Sequence, residues 1–477
     1  MTIAFPTPDE AVLSRRNEIL AGLGRLVAPE ALIVTEDERR AFETDGLTAY
    51  RQMPLAVVLP SSTQEVSAIL RFCRENGVKV VPRGAGTSLS GGAIPQADAI
   101  VLGVAKMNRV LDVDFENRVA HVQAGITNLA ISQAVAHEGF FYAPDPSSQL
   151  ACTIAGNIAM NSGGAHCLKY GVTTNNLLGV TMVLLDGTVV ELGGAHLDSA
   201  GYDLLGLVCG SEGQLGIVTE ASVRILRAAE GARPALLGFE RVEDAGACVA
   251  AIIAAGIIPV ALEYMDRPAI QICEAFAHAG YPLDVDAMLI VEVEGSDQEI
   301  DDMLRRIVAI AEPFRPKTVK VSQSEAESAA IWKGRKSAFG ATGRVADYIC
   351  MDGTIPTGRL PEVLRRIDEI AKSYGLGVAN VFHAGDGNLH PLVMFDSSKP
   401  GEMEKAEAAG EDILKLCVEV GGCLTGEHGV GIEKRDLMPY QFNAVDLEQQ
   451  MRVRGVFDPG WLLNPAKVFP LEGRFAA

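Results

Sequence analysis

Two histidines seven residues apart are the strongest candidates for chemistry in this sequence. They bound the segment His383-Ala384-Gly385-Asp386-Gly387-Asn388-Leu389-His390, which apolar residues flank on both sides. Asp386-Gly387 is a strong signal for a two-residue hairpin turn. Such a turn makes His383 and His390 directly opposed partners on one face, with Cβ atoms about 5 Å apart. Two imidazoles at that separation can share a metal ion, although the pattern also suits a pair that is only packed or hydrogen-bonded.

A third histidine lies in a glycine-rich segment, Gly426-Glu427-His428-Gly429-Val430-Gly431, which follows a predicted helix over residues 404–420. In a loop of this composition Glu427 and His428 can converge on one point. Two His and one Glu leave open positions on Zn²⁺ or a similar ion for a substrate hydroxyl and carboxylate. A metal-dependent hydrolase could use the same three groups, so this set alone does not decide the reaction.

A basic stretch offers a handle for an anionic substrate. Trp332-Lys333-Gly334-Arg335-Lys336 lies on a predicted helix, and the guanidinium of Arg335 can bind a carboxylate through two N–H donors. A lone arginine in such a place is more often a solvated surface residue. The formal net charge is −20, which disfavours nucleic acid and anionic membrane as main partners. An anionic substrate must therefore find its positive charge locally, from Arg, Lys or a metal ion.

Three glycine-rich stretches could line a large flat ligand. The first, residues 82–92, follows a predicted strand but reads Gly84-x-Gly86-x-x-Leu89, so it lacks the third Gly of the dinucleotide fingerprint. Its backbone N–H groups and the hydroxyls of Thr87, Ser88 and Ser90 could instead line a pyrophosphate. The others are residues 153–164, followed by Lys169-Tyr170-Gly171, and residues 210–219. Small residues at this density let a backbone approach a ligand closely.

The elements that must position these groups read as an α/β enzyme of more than one domain. The 477 residues, 48% of them hydrophobic, are enough for two or three domains. Residues 1–50 read as a polar helical arm, and strands at 55–59 and 78–81 flank a helix over 64–76 that Gly77 ends. Later strand candidates are residues 288–293, 318–321 and 378–383. The uncharged stretch 245–262 predicts a buried helix, a stop at Gly256 and a short strand, rather than a membrane span.

Cysteine usage and the first residues bear on the compartment. Nine cysteines are scattered with no Cys-x-x-Cys pair, which is typical of structural thiols in a reducing compartment and argues against an iron–sulfur cluster on this chain. The first ten residues do not have the pattern of a secretory signal. We therefore expect a cytoplasmic protein, with a peripheral association with the inner membrane left open.

The glycine-rich segments together resemble the FAD-binding domain of the vanillyl-alcohol oxidase superfamily. The segments that carry the likeness are residues 82–88, Pro144-Asp145-Pro146-Ser147-Ser148, residues 156–164 and Gly210-Ser211-Glu212-Gly213-x-x-Gly216. More narrowly, the chain is similar to the group of the glycolate oxidase large subunit, D-lactate dehydrogenase and D-2-hydroxyglutarate dehydrogenase, from about residue 50 to residue 470. The group's His-x-Gly-Asp-Gly-Asn-x-His, Gly-Glu-His-Gly and Trp-x-x-Arg motifs are also present.

The resemblance implies an α+β fold with a two-subdomain FAD-binding domain and an α/β substrate (cap) domain. The expected boundaries are a helical arm at 1–50, the FAD-binding domain at 51–230, the substrate domain at 231–440, and a C-terminal segment at 441–477 that packs on the FAD-binding domain. No His lies between Arg83 and Gly92, so non-covalent FAD is expected. The FAD-binding residues implied by the resemblance are Pro82, Arg83, Gly84, Ala85, Gly86, Thr87, Ser88, Pro144, Ser147, Thr153, Gly156, Asn157, Ser162, Gly163, Tyr170, Glu212, Gly213, Gly216, Ile217, Val218 and Asn464.

The same resemblance assigns the second half of the chain to substrate. It implies that His383, His390 and Glu427 bind a divalent metal, Zn or Mn, and that His428 is the general base. Arg335 would hold the substrate carboxylate, with Lys336 and Arg344 as weaker candidates. The expected reaction is metal-assisted oxidation of a small D-2-hydroxy acid, glycolate or D-lactate, to the 2-oxo acid. The hydride goes to the flavin, and electrons leave to a non-nicotinamide acceptor such as a quinone, a cytochrome or an iron–sulfur subunit.

Three alternative functions remain beside this hypothesis, and the sequence departs from the family's motifs at two positions. The rivals are a D-2-hydroxyglutarate dehydrogenase, a metal-dependent hydrolase and a flavin-binding subunit without activity. Leu392 stands where 2-hydroxyglutarate enzymes have Asn, and Ala466 replaces the usual Gly of an Asn-Pro-Gly-Lys motif. The assembly is expected to be either a homodimer or a subunit of a glycolate oxidase-like complex.

Overall fold

The computed structural model describes residues 3–196 and 201–471, and the chain divides into two compact units. We call the first the N-terminal unit; it comprises Ile3–Gly163, Gly171–Ala228 and, at the other end of the chain, residues 427–471. We call the second the central unit; it comprises Gly164–Tyr170 and Ala229–Gly426. Each unit is thus assembled from segments that are distant in sequence.

The N-terminal unit contains two main sheets. A four-stranded sheet has the order β1-β2-β4-β3, in which β2, β4 and β3 are parallel, and a five-stranded antiparallel sheet has the order β5-β6-β10-β8-β9. A short antiparallel pair joins β7 and β11. The strands are β1 (Leu32–Ile33), β2 (Ala56–Val58), β3 (Lys79–Arg83), β4 (Ala99–Gly103), β5 (Val110–Asp114), β6 (Val119–Gln123), β7 (Phe140–Phe141), β8 (Leu177–Val183), β9 (Val189–Gly193), β10 (Ile217–Arg224) and β11 (Leu226–Arg227).

Helices cover these sheets in the N-terminal unit. The helix between β2 and β3 begins after Ser62, whose hydroxyl accepts a hydrogen bond from Glu65 N, and ends at Gly77 in the left-handed region with φ 66°. Its predicted β-α-β context is confirmed. The α-helices of this unit are Glu10–Ser14, Arg16–Leu23, Glu36–Arg39, Thr63–Asn76, Asn128–Val135, Ile154–Met160, Thr173–Asn176, Leu204–Val208, Met438–Gln441 and Ala444–Phe457.

The C-terminal part of the described chain extends the four-stranded sheet. Leu463 forms a parallel bridge with Val80 of β3. Val80 N donates to Leu462 O at 2.8 Å, and Asn464 N donates to Val80 O at 2.7 Å. The buried side chain of Arg454 donates to Leu463 O at 2.7 Å. Residues 462–464 therefore complete the edge of a sheet whose other strands come from the first quarter of the sequence.

The central unit is built on one seven-stranded antiparallel sheet with the order β15-β12-β14-β13-β17-β18-β16. Its strands are β12 (Gly231–Phe239), β13 (Ala261–Asp266), β14 (Ala287–Gly295), β15 (Thr318–Val321), β16 (Asp347–Cys350), β17 (Gly377–His383) and β18 (Pro391–Phe395). Its α-helices are Cys167–Tyr170, Val242–Ala254, Arg267–Ala277, Asp297–Ala311, Glu325–Lys336, Ala338–Thr342, Leu360–Tyr374 and Glu402–Glu419. Their apolar faces are buried, as Val363, Leu364, Ile367 and Ala371 of Leu360–Tyr374 illustrate.

The uncharged stretch 245–262 is divided as its sequence predicts. The helix Val242–Ala254 is followed by Gly256 with φ 73°, and β13 begins at Ala261. Across residues 3–196 and 201–471, every helix is too short or too polar to cross a lipid bilayer.

The predicted register of the histidine hairpin is wrong by two residues. Val378 pairs with Val393, Asn380 with Pro391, and an isolated bridge joins His383 to Asn388 rather than to His390. The turn is longer because tertiary contacts hold its backbone: Gly385 N donates to Leu262 O at 3.0 Å, and Ile355 N donates to Gly387 O at 3.0 Å. Side chains of a strand alternate with period two, so a shift of two keeps both histidines on one face.

Candidate functional site

The glycine-rich segments of the N-terminal unit pack directly against one another. A Cβ atom added to Gly84 would lie 2.2 Å from Thr153 Oγ1, and one added to Gly213 would lie 2.4 Å from Pro82 Cγ. Gly210 N donates to Ile158 O, and Glu212 N donates to Ala159 O, each at 2.8 Å. The three segments singled out by sequence therefore lie against one another within the N-terminal unit.

Several of the predicted FAD-binding side chains hold these segments in shape. Thr153 precedes the helix Ile154–Met160 and accepts a hydrogen bond from Gly156 N. Asn157 is buried and accepts a hydrogen bond from Asn128 Nδ2 at 3.0 Å. Arg83 donates to Thr44 O at 2.8 Å, and burial lowers the pKa of its guanidinium. These contacts stiffen the loops before any ligand is considered.

The loop that carries Glu427 and His428 is anchored to the glycine-rich segments. Glu212 is buried, and its two carboxylate oxygens accept hydrogen bonds from Val430 N at 2.6 Å and Gly431 N at 2.9 Å. Ser90 Oγ donates to His428 O at 3.0 Å. The side chain of Glu427 lies beside Gly163, where an added Cβ would come within 2.6 Å of Glu427 Oε2. The N-terminal unit thus places this loop next to residues 90, 163 and 212.

Charged side chains are buried beneath the same segments. Burial lowers the pKa of Lys467 to about 7, although nearby Asp45 and Glu212 oppose this shift. Burial raises the pKa of Asp45 to about 6, against hydrogen bonds from Ala93 and Leu47 and the charges of Arg83 and Lys467. Burial also raises the pKa of Glu212. Asn464 links the C-terminal segment to this region, because its Nδ2 donates to Gly92 O at 3.0 Å and Glu212 O at 2.6 Å.

In the central unit, His383 and His390 lie next to each other. Their ring centroids are 5.2 Å apart and the ring planes are nearly perpendicular, at 87°. Both side chains are buried, with 7% and 1% exposure. His383 ends β17 and His390 immediately precedes β18, so the hairpin between them brings the rings together. The pairing that the sequence predicted is present, although through a diagonal rather than a directly opposed position.

A buried carboxylate joins His383 to Arg335. Glu263 on β13 is directly opposite His383 on β17, and Glu263 Oε1 lies 2.8 Å from His383 Nδ1. Arg335 donates from Nε to Glu263 Oε2 at 2.8 Å, and its Nη2 lies 2.6 Å from the same oxygen. Burial alone would raise the pKa of Glu263, but His383 and Arg335 together hold that pKa below its ordinary value. Arg335 is therefore a paired internal residue, not a solvated one.

A second carboxylate lies near the other histidine. Asp352 is fully buried, and its Oδ1 is 3.9 Å from His390 Nδ1. Asp352 also accepts hydrogen bonds from Thr425 Oγ1 at 2.5 Å and Gly426 N at 3.0 Å. Each of the two histidines thus has a buried acidic neighbour within the central unit.

The weaker substrate candidates lie elsewhere. Lys336 is exposed, and its ammonium lies 5.8 Å from the ring centroid of Trp332. Arg344 is exposed and stacks over Phe276 at 4.7 Å. The structure does not bring either cation to the group formed by Arg335, Glu263 and His383.

Residues 164–170 contribute to a third polar group of the central unit. Glu292 accepts a hydrogen bond from Trp332 Nε1 at 2.7 Å and lies 3.3 Å from His166 Nε2. Lys169 forms an ion pair with Glu294 at 2.7 Å, and Tyr170 also donates to Glu294. Tyr170, which the family motif predicts as an FAD contact, is therefore hydrogen-bonded within the central unit.

Sequence reasoning missed the acidic partners. Glu263 and Asp352 belong to no motif singled out above, and Glu292 lies in the predicted strand 288–293 but was not itself a candidate. One signal was available for Glu263: it is a charged residue inside Ala-Leu-Glu-Tyr-Met-Asp, and a carboxylate in a buried strand needs a charged or hydrogen-bonding partner.

Comparisons with known proteins find two matching families and several similar relatives. The family described as "FAD binding domain" matches residues 54–193, and the family described as "FAD linked oxidases, C-terminal domain" matches residues 229–468. The chain is 49% identical over 462 residues to glycolate oxidase subunit GlcD of Escherichia coli (strain K12), covering 97% of this chain and 93% of the relative. It is 35% identical to a D-lactate dehydrogenase of Archaeoglobus fulgidus, covering 91% of this chain and 95% of the relative.

A solved structure shares the fold at much lower identity. The 4-ethylphenol oxidase from Gulosibacter chungangensis, in complex with isoeugenol, superposes with a TM-score of 0.82 over 98% of this chain and 99% of its own. The two sequences are 16% identical, so this likeness concerns the fold alone.

Proposed function

Because this chain belongs to the FAD linked oxidases, we propose that it oxidises glycolate or D-lactate to the corresponding 2-oxo acid with the help of a divalent metal ion. That it is an FAD-dependent oxidoreductase of small hydroxy acids follows from the family and from the relatives named above. The choice of acid, the metal and the electron acceptor are the parts we propose. The observation that carries the small acid and the metal is the buried group of Arg335, Glu263 and His383 beside His390.

A 2-hydroxy acid has two polar groups to recognise, a carboxylate and a hydroxyl. Arg335 supplies a guanidinium for the carboxylate, and the paired imidazoles of His383 and His390 supply nitrogen donors for a metal next to the hydroxyl. These donors suit a metal ion. Histidines that bind a metal commonly form a hydrogen bond to a carboxylate with their other ring nitrogen, and His383 Nδ1 has such a contact with Glu263. The motif alone supplies the further proposals that Glu427 is a third ligand and His428 the base.

The residues would divide the work as follows. Arg335 orients the carboxylate, and a ring nitrogen of His428 accepts the hydroxyl proton. The three packed glycine-rich segments, residues 82–92, 153–164 and 210–219, hold FAD without a covalent bond and exclude water from its surface. When bound, FAD supplies a two-electron acceptor for the hydride on Cα, and the metal supplies Lewis-acid polarisation of the hydroxyl. The substrate loses two electrons and two protons and becomes the 2-oxo acid.

Leu392 stands where 2-hydroxyglutarate enzymes have Asn, and this motif difference is the reason to propose a short substrate. Leu392 is buried in the core of the central unit and pairs with Ala379 and Cys350. An apolar side chain at this position offers no group to a second carboxylate, which a D-2-hydroxyglutarate dehydrogenase needs. The hydrolase alternative is set aside because both family matches are with FAD proteins.

We also propose that electrons pass to a quinone, a cytochrome or an iron–sulfur partner. The relative at 49% identity is described as a subunit, which supports a complex with other chains over a homodimer. We further propose that the N-terminal unit is the FAD-binding domain and the central unit the substrate domain, and that the complex works in the cytoplasm or at the surface of the inner membrane.

The experiment combines a substrate screen with one variant. Purified protein with bound FAD is mixed with D- and L-2-hydroxy acids and an artificial acceptor dye, and the rate of dye reduction is measured. We expect glycolate or D-lactate to be the best substrate. H390A should lose bound metal, measured by atomic emission, and lose turnover while its flavin absorbance is unchanged. Full turnover by metal-free H390A would overturn the metal-assisted reaction.

A further inference from the structure

The side chain of Glu263 is placed to act on two predicted site residues at once. It has 0% exposure, and each of its oxygens serves one partner: Oε1 faces His383 Nδ1 at 2.8 Å, and Oε2 faces Arg335 at 2.8 Å (Nε) and 2.6 Å (Nη2). Resting on the function proposed above, we propose that Glu263 is the positioning residue that sets both the metal affinity of the histidine pair and the affinity of Arg335 for the substrate carboxylate.

The first consequence concerns the proton on His383. An ionised carboxylate only accepts hydrogen bonds, so His383 Nδ1 must carry the hydrogen that it shares with Glu263 Oε1. The neutral ring then has its lone pair on Nε2, which is the tautomer a metal ligand needs. Because Glu263 and His383 are directly opposed on β13 and β17, the sheet itself fixes the ring orientation.

The second consequence concerns which donors Arg335 can offer. A guanidinium has five N–H groups, and Glu263 occupies the edge formed by Nε and Nη2. The end formed by Nη1 and Nη2 is the edge left to receive a substrate carboxylate in a two-bond arrangement. Substrate therefore meets Arg335 end-on, in a direction that Glu263 determines.

The third consequence concerns Arg335 when no substrate is bound. Arg335 has 3% exposure, and a buried cation without a partner is strongly destabilising. Glu263 supplies the counter-charge, so Arg335 does not depend on substrate to stay in place. The helix Glu325–Lys336, which carries Arg335, is also held one turn earlier. There Tyr281 donates to Ile331 O at 2.5 Å and packs on Gly334. Contacts within the central unit therefore hold Arg335 in place before substrate binds.

A merely structural carboxylate would affect folding stability but not two separate affinities. E263Q keeps the size of the side chain but places an NH₂ group against either His383 or Arg335. E263D keeps the charge on a side chain one methylene shorter, which cannot reach both partners. D266N is the matched control, because Asp266 is a buried carboxylate on the same strand that binds Asn380 and Ala269 instead.

The test uses the FAD-loaded protein after the metal is removed with a chelator. Mn²⁺ is titrated back and its dissociation constant is read by electron paramagnetic resonance. Oxalate, a carboxylate ligand that the flavin cannot oxidise, is titrated separately and followed by flavin absorbance. We expect E263Q to weaken Mn²⁺ binding by about 10-fold to 100-fold, as loss of an outer partner does, and to weaken oxalate binding as well. E263D should weaken the binding of Mn²⁺, of oxalate or of both.

The outcomes separate this inference from the proposed function. Wild-type protein that binds no Mn²⁺ contradicts the proposed metal, and with it the part of the inference that concerns His383. Wild-type protein that binds Mn²⁺, with E263Q and E263D showing unchanged constants for both Mn²⁺ and oxalate, overturns the inference while leaving the proposed function intact. D266N should lower the thermal midpoint without changing either constant. A D266N variant that weakens both constants as E263Q does would show that any buried charge on β13 has this effect.

Discussion

Glu212 and Val430 are joined by a hydrogen bond of 2.6 Å between Glu212 Oε1 and Val430 N, although 218 residues separate them in the sequence. With the second bond, from Gly431 N to Glu212 Oε2 at 2.9 Å, one buried carboxylate fixes the loop that carries Glu427 and His428.

E212Q should therefore reduce turnover, because the loop that carries Glu427 and His428 loses one of the two bonds that Glu212 makes to it. The amide can accept only one of the two backbone hydrogen bonds, and its NH₂ group faces the other N–H. Losing a bond to a buried charged acceptor costs about 1–3 kcal/mol, so we expect kcat/KM to fall by roughly tenfold or more. FAD content is measured by absorbance and kcat/KM by dye reduction. The control is E220Q, on β10 in the same unit, and unchanged turnover of E212Q would show that loop position does not depend on this carboxylate.

The contact between Gly84 and Thr153 predicts a double-mutant effect. G84A should destabilise FAD binding, because its Cβ would lie 2.2 Å from Thr153 Oγ1 while the next nearest atoms are at 3.5 Å or more. T153A removes the clashing oxygen, so the double variant should bind FAD better than G84A alone. FAD dissociation constants of the three variants give the coupling energy.

Gly455 provides the control for added methyl groups. It lies within the helix Ala444–Phe457 and an added Cβ there meets no atom within 4 Å. G455A should raise stability by about 1 kcal/mol through helix propensity. If the losses of FAD-binding free energy caused by G84A and T153A simply add in the double variant, the proposed clash is contradicted.

Ala466, which departs from the family's Gly, adopts a conformation that favours glycine. Its φ is 61°, and a left-handed conformation costs a residue with a Cβ about 1–2 kcal/mol. A466G should therefore raise the thermal midpoint, with a net gain of about 0.5–1 kcal/mol after the greater chain entropy of Gly. A134G, in the helix Asn128–Val135, is the control and should lower the thermal midpoint. A lower midpoint for A466G as well would contradict the proposed backbone strain at Ala466.

Lys467 predicts a pH dependence of stability. Its pKa in the folded protein is about 7 because of burial, so from about pH 7 to about pH 10 the unfolded chain binds more protons than the folded protein. The free energy of unfolding therefore rises with pH across that window. Below pH 7 the cost of burying the Lys467 charge is fully present. Compared with K467M, wild type should gain at most about 2 kcal/mol between pH 7 and pH 9. Parallel thermal-midpoint curves for the two proteins would contradict the prediction.

Leu392 separates this chain from enzymes with Asn at that position. L392N should not create activity on D-2-hydroxyglutarate, because the side chain has 0% exposure and lies in the core cluster with Cys350 and Ala379. Burying an amide there and losing the packing should cost about 3–5 kcal/mol. Thermal midpoint and turnover on glycolate, D-lactate and D-2-hydroxyglutarate are measured together. A stable variant that oxidises D-2-hydroxyglutarate would show that the position faces substrate.

Local rules predicted the elements whose signals are local. The helix Thr63–Asn76 with its Gly77 stop and the strand Thr318–Val321 follow from capping, glycine and alternation. The register of the His383–His390 turn does not, because backbone bonds to Leu262 and Ile355 set it. Glu263 could not be assigned either, since a single acidic residue in an apolar strand gives no sign of which histidine or arginine it will meet.

The interlaced segments of the two units have a consequence for how the chain is made. Because Leu463 and Asn464 bond to Val80, the sheet begun by the first hundred residues is finished only after residue 464 has emerged from the ribosome. The central unit needs Gly164–Tyr170 and Ala229–Gly426, all of which are synthesised earlier. Translation therefore lets the seven-stranded sheet of the central unit fold before the N-terminal unit is completed.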